Sequence, residues 1–203
     1  MKNNNEALQN VINEFQSKRN MNPFYRSPDY QVNVRVSSFN TFMSDMNAEF
    51  KTHLESTGDV KSSLALAVPD FQRDNDKWSL SKKVKFIENV LAGFISTVYL
   101  YEIKSKNASC LADSLAKVLD GLQRLTSLVE FTNNEFPIYG GFYYDDIKSG
   151  AVMGSPTIAM RQFTFETEED ACRFYIDLND GNTHSKSDIK RATDHLSDLT
   201  KSK

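Results

Sequence analysis

The sequence predicts a single α+β domain in which a mixed sheet packs between flanking helices, with a helical extension at the C-terminal end. One segment with the two-residue period of a strand and one with the period of a helix support this class. Residues 30–37 alternate apolar and polar side chains, as in a half-buried strand, whereas residues 82–93 carry apolar side chains every three or four positions, as in an amphipathic helix. The 203 residues contain neither an internal repeat nor a linker long enough to separate two domains, so one core is expected.

The chain divides by content into three stretches of this one domain: an extension over residues 1–60, a core over 61–135, and aromatic strands with helices over 136–203. In the first stretch, apolar residues at helical spacing predict a helix over 6–19. Ser38 or Asn40 can cap a second helix that continues to about Glu55.

The middle stretch is expected to alternate strands and helices. Short apolar or β-branched runs predict strands, and Ser79 or Ser81 can cap a helix for which Gly93 is a natural end. Polar residues predict a loop or turn over 105–114, and an apolar run follows at 115–119. The expected strands are 63–68 and 96–104, and the expected helices are 79–93 and 120–131.

The last stretch begins with aromatic, β-like sequence in which Gly140 and Gly141 indicate a hairpin turn. A further strand is expected near 160–165. Helical periodicity follows on both sides of a strong turn at Asn179–Asn182. The expected segments are strand 136–144, strand 160–165, helix 168–178 and helix 186–199.

Composition restricts the function. The net charge of −3 and pI near 5.7 argue against a protein whose main task is to hold duplex DNA by charge, although a local patch can still bind nucleic acid. Cys110 and Cys172 are too few for a disulfide framework, which favours a reducing compartment. No apolar stretch is long enough for a signal peptide or a membrane span, so we expect a soluble, cytoplasmic protein.

Two short segments carry the chemistry, and each ends in Gln-Arg. The first motif is Pro69-Asp70-Phe71-Gln72-Arg73, and the second is Asp120-Gly121-Leu122-Gln123-Arg124. At the start of a helix, backbone N–H groups converge and favour an anion, while Gly121 lets the backbone come close to a ligand. Arg124 adds a planar fork for phosphate oxygens, and Asp120 can hold a hydrated magnesium ion or orient a water molecule.

A plain structural interpretation stays open for each motif. Asp120 can simply cap the helix while Arg124 is a solvated side chain, since turns of this composition are common. Gln72 and Arg73 can mark an exposed strand end with an arginine in a salt bridge. The order of the parts indicates that the pairing of the two motifs is not accidental. The first motif is followed by Trp78, a predicted helix, a predicted strand with two tyrosines and then the second motif.

With these parts in this order, residues 68–131 resemble the ParB-like domain found in the N-terminal, GmrS-type half of modification-dependent restriction systems and in related phage proteins. In members of this family, a Pro-x-Phe-Gln-Arg segment ends near a Trp. A helix follows, then an apolar strand that ends in Tyr, and then the sequence Asp-Gly-Gln-Gln-Arg-Leu-Thr. Residues 178–183 are similar to the family's Asn-x-Gly-Gly turn. One position departs, because Leu122 stands where the family has its first Gln.

The resemblance implies a ParB/sulfiredoxin-like fold that binds a nucleoside triphosphate with magnesium, and in several relatives hydrolyses it in response to modified DNA. It implies that Asp120, Gln123 and Arg124 are catalytic and that Gln72, Arg73, Gly121 and Arg124 bind the nucleotide. The metal ligands stay unknown. Phosphoryl transfer needs little beyond positioning and charge neutralisation. Leu122 implies that turnover is weakened.

Restriction proteins of this kind usually carry a nuclease half with histidine metal ligands. His53, His184 and His195 lack metal-ligand spacing, and the polar neighbours of His184 and His195 indicate surface histidines, so no nuclease half is expected. We expect a stand-alone nucleotide-binding domain that acts in restriction, anti-restriction or phage DNA metabolism. The alternatives are a regulator or decoy that binds DNA or a host or phage protein without catalysis, and, by fold analogy alone, a nucleotide-dependent kinase or weak nuclease.

Overall fold

The computed structural model of the protein describes residues 2–21, 27–72, 78–104, 115–179 and 186–201. Several sequence predictions lie outside these ranges. They are the nucleotide-binding role of Arg73, the polar loop at 105–114 with Cys110, most of the turn at 179–182, and His184.

A four-stranded mixed sheet forms the centre, with the strand order β1-β4-β2-β3. The central pair β2 and β4 is parallel, and both outer pairs are antiparallel. The strand bounds are β1 Tyr30–Arg35, β2 Thr97–Ile103, β3 Lys117–Asp120 and β4 Thr157–Phe165. The α+β class and the mixed sheet with flanking helices are therefore confirmed.

The helices account for most of the remaining described residues, and a single 3-10 turn at Val36–Ser38 precedes the second of them. Two of the shorter helices, α7 and α8, form one turn each. The helix bounds are α1 Lys2–Met21, α2 Phe39–Met46, α3 Ala48–Thr57, α4 Val60–Leu66, α5 Leu80–Leu91, α6 Leu122–Thr132, α7 Tyr144–Ile147, α8 Gly150–Met153, α9 Glu168–Asn179 and α10 Lys186–Lys201.

Helices cover the sheet from both sides because the strands alternate their apolar side chains. Val98, Leu100 and Val118 point into a core shared with helices α2 to α6. Tyr101 and Leu119, on the same two strands, point the other way into a second core with α9 and α10. The second motif, at the end of β3, therefore lies beside the first core.

The strand predicted at 63–68 is wrong, because these residues belong to helix α4 and the turn after it. The side chain of Asp59 caps α4 by accepting hydrogen bonds from the backbone N–H groups of Lys61, at 2.9 Å, and Ser62, at 3.3 Å. Gln72 accordingly lies in a turn after a helix and not at the end of a strand.

The single helix predicted to run to Glu55 is divided at Asn47. The buried Asn47 side chain accepts a hydrogen bond from Phe50 N at 2.8 Å and donates one to Ala116 O at 2.9 Å. It thereby caps α3 and ties it to the segment before β3.

The strand predicted at 136–144 is also wrong, since only an isolated bridge joins Ile138 to Phe142 around the predicted turn at Gly140 and Gly141. His195, expected on the surface, is 24% exposed and packs its ring 5.8 Å from that of Phe71, so that expectation is wrong too. None of the helices in the described ranges combines the length and the apolar character that crossing a bilayer requires.

Candidate functional site

The second motif forms the turn that joins β3 to α6, as the sequence predicts. Gly121 is the N-cap of α6 and has φ +100°, a left-handed conformation that favours glycine. A Cβ at this position would lie 3.0 Å from Val98 Cγ2 and 3.3 Å from Val98 Cα. The space beside Gly121 is thus filled by β2, so packing gives one sufficient reason for the glycine.

Asp120 and Arg124 lie together on one side of this turn. Arg124 Nη1 is 3.4 Å from Asp120 Oδ2 and donates a hydrogen bond to Thr97 O at 2.5 Å. Their side chains are 20% and 32% exposed, so the pair lies at the protein surface and a ligand could reach it. The arginine links the helix to the first residue of β2.

Gln72 and Gln123 are buried and hydrogen-bonded to backbone. Gln72 Nε2 donates to Val118 O at 2.7 Å and to Leu119 O at 2.8 Å, which joins the first motif to β3. Gln123 Oε1 accepts a hydrogen bond from Trp78 N at 3.1 Å. Each motif is therefore hydrogen-bonded to residues that flank the other, and the two motifs lie side by side.

A pocket of about 280 Å³ opens where the two motifs meet. We call it the junction pocket. Gln72 and Asp70 of the first motif line it together with Leu122 of the second, and Thr126 follows one helical turn later. The remaining lining residues are Lys61, Leu64, Ala65, Val68, Pro69 and Arg191.

Asp120, Gln123 and Arg124 are not among the residues that line the junction pocket. The predicted site residues thus separate into Gln72, which faces the pocket, and the Asp120–Arg124 pair, which lies outside it. Their catalytic and nucleotide-binding roles stay predictions.

Two cations reach the junction pocket from different helices. Lys61 extends from α4, and Arg191 extends from α10, where its Nε donates to Asp70 O at 3.0 Å. Sequence reasoning missed both residues. Arg191 is 121 residues from Asp70, and nothing in its local sequence indicates the contact.

An ion-pair network holds Lys61 at the rim. Lys61 Nζ is 3.3 Å from Glu130 Oε1 and 3.1 Å from Glu135 Oε2, while Lys83 Nζ is 2.6 Å from Glu130 Oε2. Burial alone would lower the pKa of Lys61, but the hydrogen bonds to the two glutamates outweigh it and raise the pKa above its ordinary value. Lys61 therefore carries its charge at neutral pH.

The sequence was compared with protein-family models, curated proteins and solved structures. The family model described as the GmrSD restriction endonuclease, N-terminal domain, matches residues 54–202. The chain belongs to this family. Neither the curated proteins nor the solved structures gave a match. The match to the GmrSD N-terminal domain begins within α3 and includes both motifs, the junction pocket, and strands β2, β3 and β4.

Leu122 stands in the second motif where the resemblance drawn from the sequence predicts a glutamine. Its side chain is 5% exposed, packs in the first core and forms part of the pocket wall. An apolar residue here supplies no side-chain hydrogen bond to a ligand, so the polar side chains of the wall are those of Lys61, Asp70, Gln72, Thr126 and Arg191. No group of three or more potential metal-ligating side chains occurs in the described ranges.

Proposed function

We propose that the protein binds a nucleoside triphosphate in the junction pocket, as part of a restriction or anti-restriction system. The observation that supports this proposal is the pocket itself, because residues of both motifs line it and two cationic side chains reach it, Arg191 from α10 and Lys61, which also pairs with Glu130 and Glu135, from α4. Its volume of about 280 Å³ is near the lower end for small-molecule sites. Leu64, Val68 and Pro69 offer an apolar wall, and the two cations suit phosphate oxygens.

The residues present also fit a magnesium ion that arrives with the triphosphate. Such ions are usually held by one or two protein carboxylates and by the phosphates themselves. Asp70 lines the pocket and Asp120 lies at the adjoining turn, so both are candidates. When bound, magnesium would neutralise phosphate charge. Asp120 and Arg124 lie outside the pocket, so hydrolysis would require the terminal phosphate to extend to the β3–α6 turn, where Asp120 would orient water and Arg124 would stabilise charge.

Calorimetry with magnesium and each of the four common nucleoside triphosphates tests binding. Arg191→Met should weaken binding about 10- to 100-fold, since a hydrogen bond to a charged group contributes roughly 1.5–3 kcal/mol. Lys190→Met is the matched control, because Lys190 is the preceding residue of α10 and pairs with Asp194 on its exposed surface. Arg124 does not line the pocket, so loss of binding in Arg124→Ala would indicate that the phosphates extend from the pocket to the β3–α6 turn. Absence of heat with all four triphosphates would refute the proposal.

A second candidate function is nucleotide binding without turnover, as a regulator that engages DNA or another protein. Two observations favour it: Leu122 is apolar and buried, and Gln72 and Gln123 are already hydrogen-bonded to backbone. This function predicts triphosphate binding with no phosphate release. Steady release over many turnovers, lost in Asp120→Ala, would instead favour the hydrolase.

A further inference from the structure

Half of one sheet face is exposed or half-buried in the part of the chain that the structure describes, except at Ala159, which is 9% exposed. Helices α9 and α10 pack over Phe163 and Phe165 of β4 and over Tyr101 and Leu119. The other half of the same face consists of alternate residues from three strands, and we call it the open half. Its members are Gln31, Asn33 and Arg35 of β1, Thr157, Ala159 and Arg161 of β4, and Thr97 and Tyr99 of β2.

The strand register places the side chains of the open half next to one another. Gln31 lies opposite Arg161, and Asn33 lies opposite Ala159, in the antiparallel ladder. Tyr99 lies beside Arg161 on the parallel side. Because Ala159 is small, the surface is hollowed here, and a depression of about 260 Å³ is lined by Gln31, Val32, Asn33, Ala159, Met160 and Arg161.

The charge of the open half is positive, although the whole chain has a net charge of −3. Arg35 and Arg161 are its only charged members, and neither pairs with a carboxylate in the described part of the chain. The carboxylate of Asp120, across from Tyr99 on β3, is paired with Arg124. Two arginines on one sheet face suit a ligand with successive negative charges, such as a phosphodiester backbone.

The neutral members of the open half can contact bases. Tyr99 is partly exposed, and its ring stacks on Phe163 at 6.2 Å with an interplanar angle of 26°, so the covered half fixes its orientation. A partly exposed tyrosine on a sheet is a platform on which an unstacked base can lie. The amides of Gln31 and Asn33 carry the donor and acceptor pairs that base edges match.

We propose that the open half binds a single-stranded nucleic acid, with Arg35 and Arg161 contacting phosphates and Tyr99 stacking on a base. A single strand is favoured over a duplex because stacking on Tyr99 requires an unpaired base. The site is separate from the junction pocket. Three of its eight residues lie on β1, outside residues 54–202 that match the family model.

The test is fluorescence anisotropy of a labelled oligothymidylate, titrated with the full chain between about 50 and 200 mM salt. Arg35→Gln and Arg161→Gln should each reduce the slope of log affinity against log salt by about 0.7. Tyr99→Leu should weaken binding roughly fivefold or more. Tyr99→Phe keeps the ring and should bind like the wild type, which separates a stacking role from a folding defect.

Two controls locate the effect. Arg173→Gln removes an exposed arginine of α9 that pairs with Glu169, and it should leave the salt slope unchanged. Lys61→Met alters the junction pocket and should also leave oligonucleotide binding unchanged, so this proposal can fail or succeed independently of triphosphate binding.

Three results would overturn the proposal. One is the absence of any anisotropy change at about 50 mM salt with protein at about 100 μM, the weak end of non-specific binding. Another is an unchanged salt slope in both Arg35→Gln and Arg161→Gln, which would place the nucleic acid on a different surface. The third is tighter binding of a duplex than of the single strand.

Discussion

Replacing Gly121 with alanine tests whether this glycine serves packing or a ligand. With φ +100°, an alanine at position 121 would hold a left-handed conformation that costs roughly 1–2 kcal/mol. Its Cβ would also meet Val98 at 3.0 Å and 3.3 Å, and one of these contacts is to the backbone of a central strand. Overpacking of this kind costs about 1–3 kcal/mol. We therefore expect Gly121→Ala to lower the free energy of unfolding by about 2–5 kcal/mol.

Gly93→Ala is the matched control. Gly93 has φ +94°, close to that of Gly121, but no atom lies within 4 Å of the position its Cβ would take. Gly93→Ala should therefore lower the free energy of unfolding only by the cost of the left-handed conformation, about 1–2 kcal/mol. Urea unfolding of both variants, with linear extrapolation to water, measures the difference.

Equal losses of stability in the two variants would refute the packing argument, because they would show that β2 yields to the added methyl group. If Gly121→Ala then also lost triphosphate binding while its fold was intact, the glycine would be needed for the approach of a ligand. A larger loss in Gly121→Ala supports the packing role and leaves the ligand role to be tested separately.

Three further changes have defined outcomes. Gln72→Leu removes the donor for Val118 O and Leu119 O and should cost about 1–3 kcal/mol in urea unfolding; unchanged stability would contradict a structural role. Glu130→Leu leaves the ammonium of Lys83, 16% exposed, without its partner and should cost about 3–5 kcal/mol, whereas adding Lys83→Leu should recover part of that loss. Burial raises the pKa of the Cys172 thiol from 9.0 to about 11. The unfolded chain therefore releases this proton at a lower pH than the folded chain, and the free energy of unfolding should fall as the pH rises from 9 to 11. Cys172→Ala should make this fall less steep. An unaltered dependence of stability on pH in the variant would be evidence against a contribution from the Cys172 thiol.

The long periodic segments could be predicted from the sequence, and the short ones could not. Helix α5 and strand β1 have clear periods and lie close to their predicted bounds. The run at 63–68 is apolar, short and without a decisive period, so a strand and a buried helix are equally compatible with it. Asp59, which caps α4, is the local signal that favours the helix.

The division of the predicted helix at Asn47 had no local signal. Its cause is a hydrogen bond to Ala116, 69 residues later in the chain. The same limit applies to the candidate site. Contact between the two motifs could be expected from their order, but the cations of the junction pocket come from Lys61 and Arg191, which no motif includes. Side chains that meet only through tertiary packing leave no mark on neighbouring residues.

The strand order also has a consequence for how the chain is made. Among the strands that the structure describes, β1 pairs with β4 alone, and β4 lies in the last quarter of the chain. During synthesis β1 therefore emerges from the ribosome long before its partner exists, and the sheet cannot be completed until β4 follows. Pairings so distant in sequence slow folding and leave strand edges exposed to other chains in the meantime. We expect newly made chains to be most prone to aggregation before β4 is synthesised.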